Sequence, residues 1–274
     1  MQGSGNWSPP TGTLGRILSE AADRVTELRR DAARLERAAA DAVRPALSLK
    51  TALRQEMVGI LAEVKRRSPS KGWIAKGLST AEQAHAYADG GAVAISVLTE
   101  PAHFDGSLED LDAVVGDIDL PVLRKDFHID PLQLAEARAH GATAALLIVR
   151  ALDPRLLKEM IDAAGELHLE TLVEIRDEVE LQRALDAGAE IIGVNNRDLE
   201  TLIIDPTTSE RLLPKIPGGI VAVAESGISA IADVHRVAAL GADAVLVGSS
   251  LSAADDPEAL VRHLASVPRV QRAR

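Results

Sequence analysis

Residues Leu61–Gly72 read LAEVKRRSPSKG and continue an apolar run that begins at Met57, Val58 and Ile60. The run passes into Glu63, Val64 and Lys65, so it reads as a buried strand that ends in a carboxylate and an ammonium two residues apart. Side chains alternate along a strand, which puts Glu63 and Lys65 on one face. The turn behind them is basic and serine-rich (Arg66, Arg67, Ser68, Ser70, Lys71) and suits an anion, although a solvated charged turn has the same composition.

Downstream the same pattern repeats. Short apolar runs occur at Met57–Val64, Ala92–Leu98, Pro121–Leu123, Ala144–Val149, Glu170–Val173, Ile191–Val194, Ile220–Ala224 and Ala244–Val247. Amphipathic helical patterns lie between and after them, near Thr80–Asp89, Leu108–Val115, Pro131–Ala139, Pro154–Ala164, Asp177–Ala187, Thr207–Leu213, Ser229–Ala239 and Pro257–Val267. Continuous apolar strands mark a parallel sheet buried on both faces. Gly-Ala recurs before strands, at 91–92, 141–142, 188–189 and 241–242, where the glycine ends a helix. Eight βα units in about 210 residues predict an α/β fold, a (β/α)8 TIM barrel. A doubly wound open sheet is the other arrangement. It usually has fewer strands and often carries a GxGxxG turn, which is missing here.

Ahead of the barrel, Leu14, Leu18, Ala21, Val25, Leu28, Ala32, Leu35 and Ala39 follow steps of four and three, predicting one helix from Leu14 to Val43. It is expected to pack on its own domain; a dimerising coiled coil has the same spacing. Pro45 is expected to end or bend it. The expected organisation is a flexible tail (1–12), an N-terminal helical extension (13–56), the barrel (57–268) and a C-terminal tail (269–274).

Composition narrows the function. Of the 274 residues, 46% are hydrophobic but only 2% aromatic, so small aliphatic side chains must fill the core. A net charge of -11 argues against a general nucleic-acid binder or a protein that seeks anionic membrane, while leaving room for a local basic pocket. With no cysteine, thiolate chemistry and disulfides are excluded, in keeping with a cytoplasmic enzyme. Residues 1–12 lack the basic and apolar regions of a signal peptide, and no apolar stretch is long enough to span a membrane. The seven histidines are scattered without the paired spacing of a zinc site; only His128 lies near a strand end, where it backs the site or faces solvent.

Barrels of this class place chemistry at the C-terminal ends of their strands. Those ends supply Glu63 and Lys65, Ser96 to Glu100, Arg124 to Asp126, Arg150, Glu174 and Arg176, Asn195 to Arg197, Glu225 to Gly227, and Gly248 to Ser250. The glycines after the seventh and eighth strands sit where such barrels bind phosphate through backbone N–H groups, and Ser250–Ser252 is expected to open a short helix there.

At these residues the chain resembles the indole-3-glycerol-phosphate synthase family. The matching segments are Ala62–Gly72 (AEVKRRSPSKG), Ser96–Glu100 (SVLTE), Pro121–Phe127 (PVLRKDF), Leu146–Val149 (LLIV), Leu172–Glu174 (LVE), Ile192–Leu202 (IGVNNRDLETL), Val223–Ser229 (VAESGIS) and Ala244–Leu251 (AVLVGSSL), in order through the barrel. One departure is the segment after Ile74, AKGLSTAEQA, which lacks the family's Asp-Pro.

The resemblance implies a cofactor-free lyase of tryptophan biosynthesis. It would close the indole ring of 1-(2-carboxyphenylamino)-1-deoxyribulose 5-phosphate with loss of CO2 and water. It further implies Lys125 as general acid, Glu174 as base of the dehydration, Glu63 as assisting carboxylate, and Lys65 as partner of the substrate carboxylate. Asn195 and Arg197 would orient the substrate, with Glu225 and Ser226 lining the same face. Phe104, Phe127 and Leu146 would hold the aromatic ring, and Ser68, Gly227, Gly248 and Ser249 the phosphate. No metal site, nucleic acid or membrane partner is implied; the substrate is a small sugar phosphate and the assembly a monomer or weak homodimer. A related phosphate-binding barrel isomerase acting on an aminated ribulose phosphate is the alternative, but it would not need Glu63, Lys65 and Lys125 together.

Overall fold

Each apolar run becomes a strand of one closed barrel. A computed structural model describes residues 8–43, 47–65, 67–68, 72–73 and 79–272. The barrel strands are β1 (Gly59–Val64), β2 (Ala94–Leu98), β3 (Val122–Lys125), β4 (Ala144–Ile148), β5 (Glu170–Ile175), β6 (Ile191–Asn195), β7 (Val221–Glu225) and β8 (Ala244–Val247). All are parallel, each pairs with its sequence neighbours, and β1 closes the circle against β8. A small antiparallel ribbon, Arg67–Ser68 with Gly72–Trp73, follows β1.

The helices are α1 (Gly12–Leu28), α2 (Ala32–Asp41), α3 (Leu49–Ala52), α4 (Thr80–Asp89), α5 (Pro101–Phe104), α6 (Leu108–Asp117), α7 (Pro131–Ala139), α8 (Pro154–Glu166), α9 (Glu178–Ala187), α10 (Thr207–Leu212), α11 (Ile231–Ala239) and α12 (Pro257–Leu264). Their ends follow local chemistry. Asp130 and Asp153 accept N–H bonds from the first turns of α7 and α8, each with a proline at the start, where no N–H is needed. The Gly-Ala pairs close the other ends. Gly91, Gly141, Gly188 and Gly241 have φ between 77° and 95°. The alanine after Gly188, Ala189, donates to Ala184 O at 3.0 Å, the six-to-one bond of a left-handed helix terminus.

Alternation splits the core into two layers. Residues such as Ile60, Ala62, Val173 and Val245 face outward against the helices. Leu61, Leu123, Leu172, Ile191, Val223 and Leu246 fill the interior, continuous with Leu49 and Leu53 around α3 and with Leu14, Ile17 and Ala21 of α1. The strands are buried on both faces, as continuous apolar runs require.

The single helix expected from Leu14 to Val43 is corrected. A 3-10 turn, Arg29–Asp31, separates α1 from α2. α1 buries Leu14, Ile17, Ala21 and Val25, while α2 buries Leu35 and Ala39 and packs on α7. Two docking surfaces in different directions are served by a break, which a heptad spacing does not reveal. Pro45 and residues 1–7 of the expected tail lie outside the described residues. Downstream of the 268 boundary, Arg269 and Arg272 both pair with buried Asp243 at 2.7 Å. Ser250–Ser252 forms turns rather than opening a helix: Ser252 N donates to Gly248 O at 2.9 Å and Ala254 N to Leu251 O at 3.2 Å. No helix among the described residues is long and apolar enough to cross a membrane.

Candidate active site

A cavity of about 350 Å³ opens at the C-terminal ends of the strands. Every site residue expected from sequence lines it except Ser68, whose backbone pairs with Gly72 in the ribbon and whose side chain lies outside the described residues.

The charged floor follows from strand alternation. Glu63 at the end of β1 is buried and pairs with Lys65. Lys125 at the end of β3 points its Nζ at Glu174 Oε2 of β5 (3.5 Å) and at Glu225 Oε2 of β7 (3.6 Å). Burial by itself would strip the Lys125 proton, but Glu225, Glu174 and Glu63 outweigh it and push the ammonium's pKa well above the ordinary lysine range. Lys125 therefore stays charged in a buried site. Burial pushes the Glu225 carboxyl up to about 8 against the opposing pull of Lys125, with Glu174 and Glu63 adding to the rise. Lys125 thus faces two carboxyl groups, with the Glu63–Lys65 pair beside them, and the buried Glu225 carboxyl holds its proton more tightly than an ordinary carboxylate.

Asn195 ends β6, and its Oδ1 accepts the Arg197 N–H at 2.9 Å. The Arg197 guanidinium donates to Leu202 O at 2.8 Å, tying down the loop that carries Leu199 and Ile204 into the cavity wall. Phe104 and Phe127 meet at a centroid distance of 6.4 Å, tilted by 38°. Together with Leu146 and Ile148 they make an apolar wall from the β2–β4 side. Gly227, Gly248 and Ser249 follow β7 and β8, half a turn around the barrel from β3 and β4. The cavity can hold a flat ring at one end and an anion at the other, with proton donors and acceptors between.

Not every polar strand end serves the cavity. Arg124 turns outward and is buried against Glu136 (2.8 Å) and Asp126 (3.3 Å). Arg150 donates to Ser8 O at 2.6 Å, and Arg176 pairs with Asp198 at 2.9 Å. Glu100 has its carboxylate consumed by the N–H groups of Ala102, His103 and Phe104, which starts α5 and so places Phe104. The described residues bring Glu20, Glu100 and His103 within ligand distance of one another, but Glu100 is engaged in this cap and by Arg24, and His103 pairs with Glu20 at 2.8 Å. Arg67 donates to Ala102 O at 3.4 Å, while Arg66 and Lys71 lie outside the described residues.

The cavity is also lined by Asp126 and Ser250, named as polar strand ends but given no role, and by Leu199, Ile204 and Ile228, which carry no expectation of their own. For Asp126 the signal was its place after Lys125; for Leu199 and Ile204 there was only an apolar residue in a polar loop.

His128 is deeply buried rather than exposed. Its Nδ1 lies 2.8 Å from Leu146 O and its Nε2 has no partner among the described residues. Burial, reinforced by Arg124, lowers its pKa from 6.5 to about 4. The unfolded chain therefore takes up the proton first, and stability is lost as pH falls from about 6.5 through about 4. His128→Asn keeps a donor for Leu146 O and removes the titration. Urea unfolding at pH 7 and pH 4.5 is expected to show a drop about 2 kcal/mol larger in the parent than in the variant; equal drops would place the acid sensitivity elsewhere.

A family model described as indole-3-glycerol phosphate synthase matches residues 14–264. The indole-3-glycerol phosphate synthase of Mycolicibacterium smegmatis is 50% identical over 225 residues, covering 82% of this chain and 83% of its own length. The Mycobacterium tuberculosis (strain H37Rv) protein of the same name is 49% identical over 228 residues, 83% of this chain and 84% of its own. Among solved structures, a 3-hexulose-6-phosphate synthase from Salmonella typhimurium superposes with a TM-score of 0.63 at 18% identity, over 76% of this chain and 97% of that one, a likeness of fold alone.

Proposed function

The chain belongs to the indole-3-glycerol phosphate synthase family, a carboxy-lyase family of tryptophan biosynthesis, and from that premise we propose a role for each side chain in its cavity. The reaction closes the indole ring of 1-(2-carboxyphenylamino)-1-deoxyribulose 5-phosphate and releases CO2 and water. The observation that carries the proposal is the Lys125 ammonium held between Glu174 and Glu225 in the cavity that Phe104 and Phe127 also line.

Ring closure needs the ketone oxygen to take up a proton as the ring carbon attacks. Lys125 enters charged, and the alkoxide developing on that oxygen is a stronger base than a lysine amine, so the proton passes to it. Lys65, beside Glu63, pairs the substrate carboxylate until it leaves as CO2 and shares in the acid chemistry of the dehydration. Glu174 removes the proton whose loss restores aromaticity after the hydroxyl departs. Glu63 assists the acid–base work and orients the lysines. Asn195 and Arg197 orient the substrate, Ser226 and Glu225 line the same face, and Phe104, Phe127 and Leu146 sandwich the ring. Gly227, Gly248 and Ser249, with Ser68, receive the phosphate. The reading uses no metal or organic cofactor and takes the enzyme as a cytoplasmic monomer or weak homodimer; the cysteine-free composition supports the compartment.

Purified protein given the carboxyphenylamino-deoxyribulose phosphate in the presence of a chelator should yield indole-3-glycerol phosphate, read by indole fluorescence. No product from folded protein would sink the reading. Inorganic phosphate should compete with substrate. Ser249→Asp should raise both KM and the phosphate inhibition constant at least about tenfold, since a like charge facing the anion costs more than about 1.4 kcal/mol. Unchanged constants would move the phosphate elsewhere.

A further inference from the structure

β6 carries a glycine that its backbone does not demand. Gly193 sits in the middle of the strand, fully flanked by β5 and β7, and is not among the residues with positive φ. A β-branched residue suits such a position, and a glycine inside a strand marks a place where something else approaches closely. Here the approaching group is a side chain. A Cβ added to Gly193 would coincide with Glu225 Oε1 and lie 3.1 Å from Glu225 Cδ; the next contact, Leu172 Cδ1, is at 3.3 Å.

The register explains how this arises. Gly193 pairs with Glu174 on one side, and Asn195, two residues further on, pairs with Glu225 on the other. Gly193 therefore lies in the interior layer beneath the one that bears Asn195 and Glu225. Its missing side chain leaves a seat, and the Glu225 carboxyl folds down into it. Oε1 is buried there with no hydrogen-bond partner among the described residues, whereas Oε2 faces Lys125 at 3.6 Å. A carboxylate oxygen without a partner at that depth would be costly if charged; a carboxyl pKa raised to about 8 fits a neutral group in the seat. The same device recurs across the site, where a Cβ on Gly248 would lie 2.5 Å from Glu63 Oε1 and 3.1 Å from Glu63 Cβ.

We infer that Gly193 is a positioning residue for the reaction: the empty place it leaves in the barrel interior seats the Glu225 carboxyl below Lys125 and keeps it out of the volume the substrate occupies. The inference rests on the proposed assignment of Glu225 and Lys125 to the reaction. A methyl group at 193 forces Glu225 to rotate upward, away from its place against Lys125 and into the cavity. Backbone preference works the other way, because alanine in a strand is no worse than glycine.

The test is a double-mutant cycle read by kcat, KM and thermal midpoint on the full chain. Gly193→Ala should lower kcat/KM at least tenfold in the parent. In a Glu225→Ala background, where the seat is vacant, the same change should alter kcat/KM less than twofold and leave the thermal midpoint unchanged or higher. Equal losses in both backgrounds, or an undiminished Gly193→Ala enzyme, would overturn the seat while leaving the site assignment standing. A fully active Glu225→Ala enzyme would overturn the assignment and the seat together. Should Gly193→Ala fail to fold, recovery of a cooperative thermal transition on adding Glu225→Ala supports the inference, and an unfolded double variant overturns it.

Discussion

Lys125→Met is expected to lower kcat by on the order of 10³-fold, since it removes both the proton donor and the positive charge under the developing alkoxide. Methionine preserves the bulk and unbranched shape of the lysine stem, so the apolar wall formed by Phe127 and Leu146 should keep its packing and KM should move far less than kcat. A second consequence follows from the three carboxylates left behind. In the parent, Lys125 opposes the burial that raises the Glu225 carboxyl to about 8. Without the ammonium, nothing at that place opposes the burial of Glu225 and the neighbouring Glu174 and Glu63, and the folded-state pKa of Glu225 rises further above the unfolded carboxylate value. A group whose folded pKa is raised gives stability that is full below the unfolded pKa and is lost as pH rises through the folded pKa. The variant should therefore match the parent near pH 5 and fall progressively behind it above pH 7, measured by thermal unfolding across that range. Near-parental kcat would remove Lys125 as the acid, and a stability difference that shrinks with rising pH would contradict the three-carboxylate floor.

Glu174→Gln is expected to cost about 10²- to 10³-fold in kcat, the usual contribution of a positioned general base. The amide keeps the size and one acceptor oxygen toward Lys125, so the 3.5 Å contact can persist and the fold should be undisturbed. KM should stay within about threefold, because the residue is assigned to a proton transfer rather than to binding. A kcat within a few-fold of the parent would assign the base to another carboxylate, with Glu225, which faces the same ammonium, the nearest substitute.

How far the sequence reveals this site depends on which physical rule places each residue. Glu174 is legible because it is the first ionisable residue after buried branched side chains, at a position the barrel requires to face its mouth; Lys125 follows Arg124 and is told apart from it through resemblance. Phe104 is legible only through resemblance. Its position is set by α5, a single turn nucleated when Glu100 caps three backbone N–H groups, too short to show a helical period. Arg124 illustrates the reverse error. It is as ionisable and as close to a strand end as Lys125, yet one step along a strand turns a side chain to the other face, and it is spent on Asp126 and on Glu136 of α7. His128 is incidental in the sequence because scattered histidines carry no spacing signal; in the fold it is buried with its Nδ1 against the Leu146 carbonyl of the next strand.

By itself the sequence determined the alternation of eight buried strands with amphipathic helices, the helix ends at Gly-Ala, and the order of polar strand ends that LAEVKRRSPSKG begins. These are local properties, fixed by side-chain periodicity, capping and turn chemistry within a few residues. The tertiary structure alone decided which strand ends converge, that the N-terminal helix breaks to serve two surfaces, and that a glycine in β6 makes room for a carboxylate in β7. Those facts depend on closure. Only when β1 pairs with β8 do side chains distant in sequence come within 4 Å of one ammonium, and no periodicity along the chain encodes a distance across the barrel.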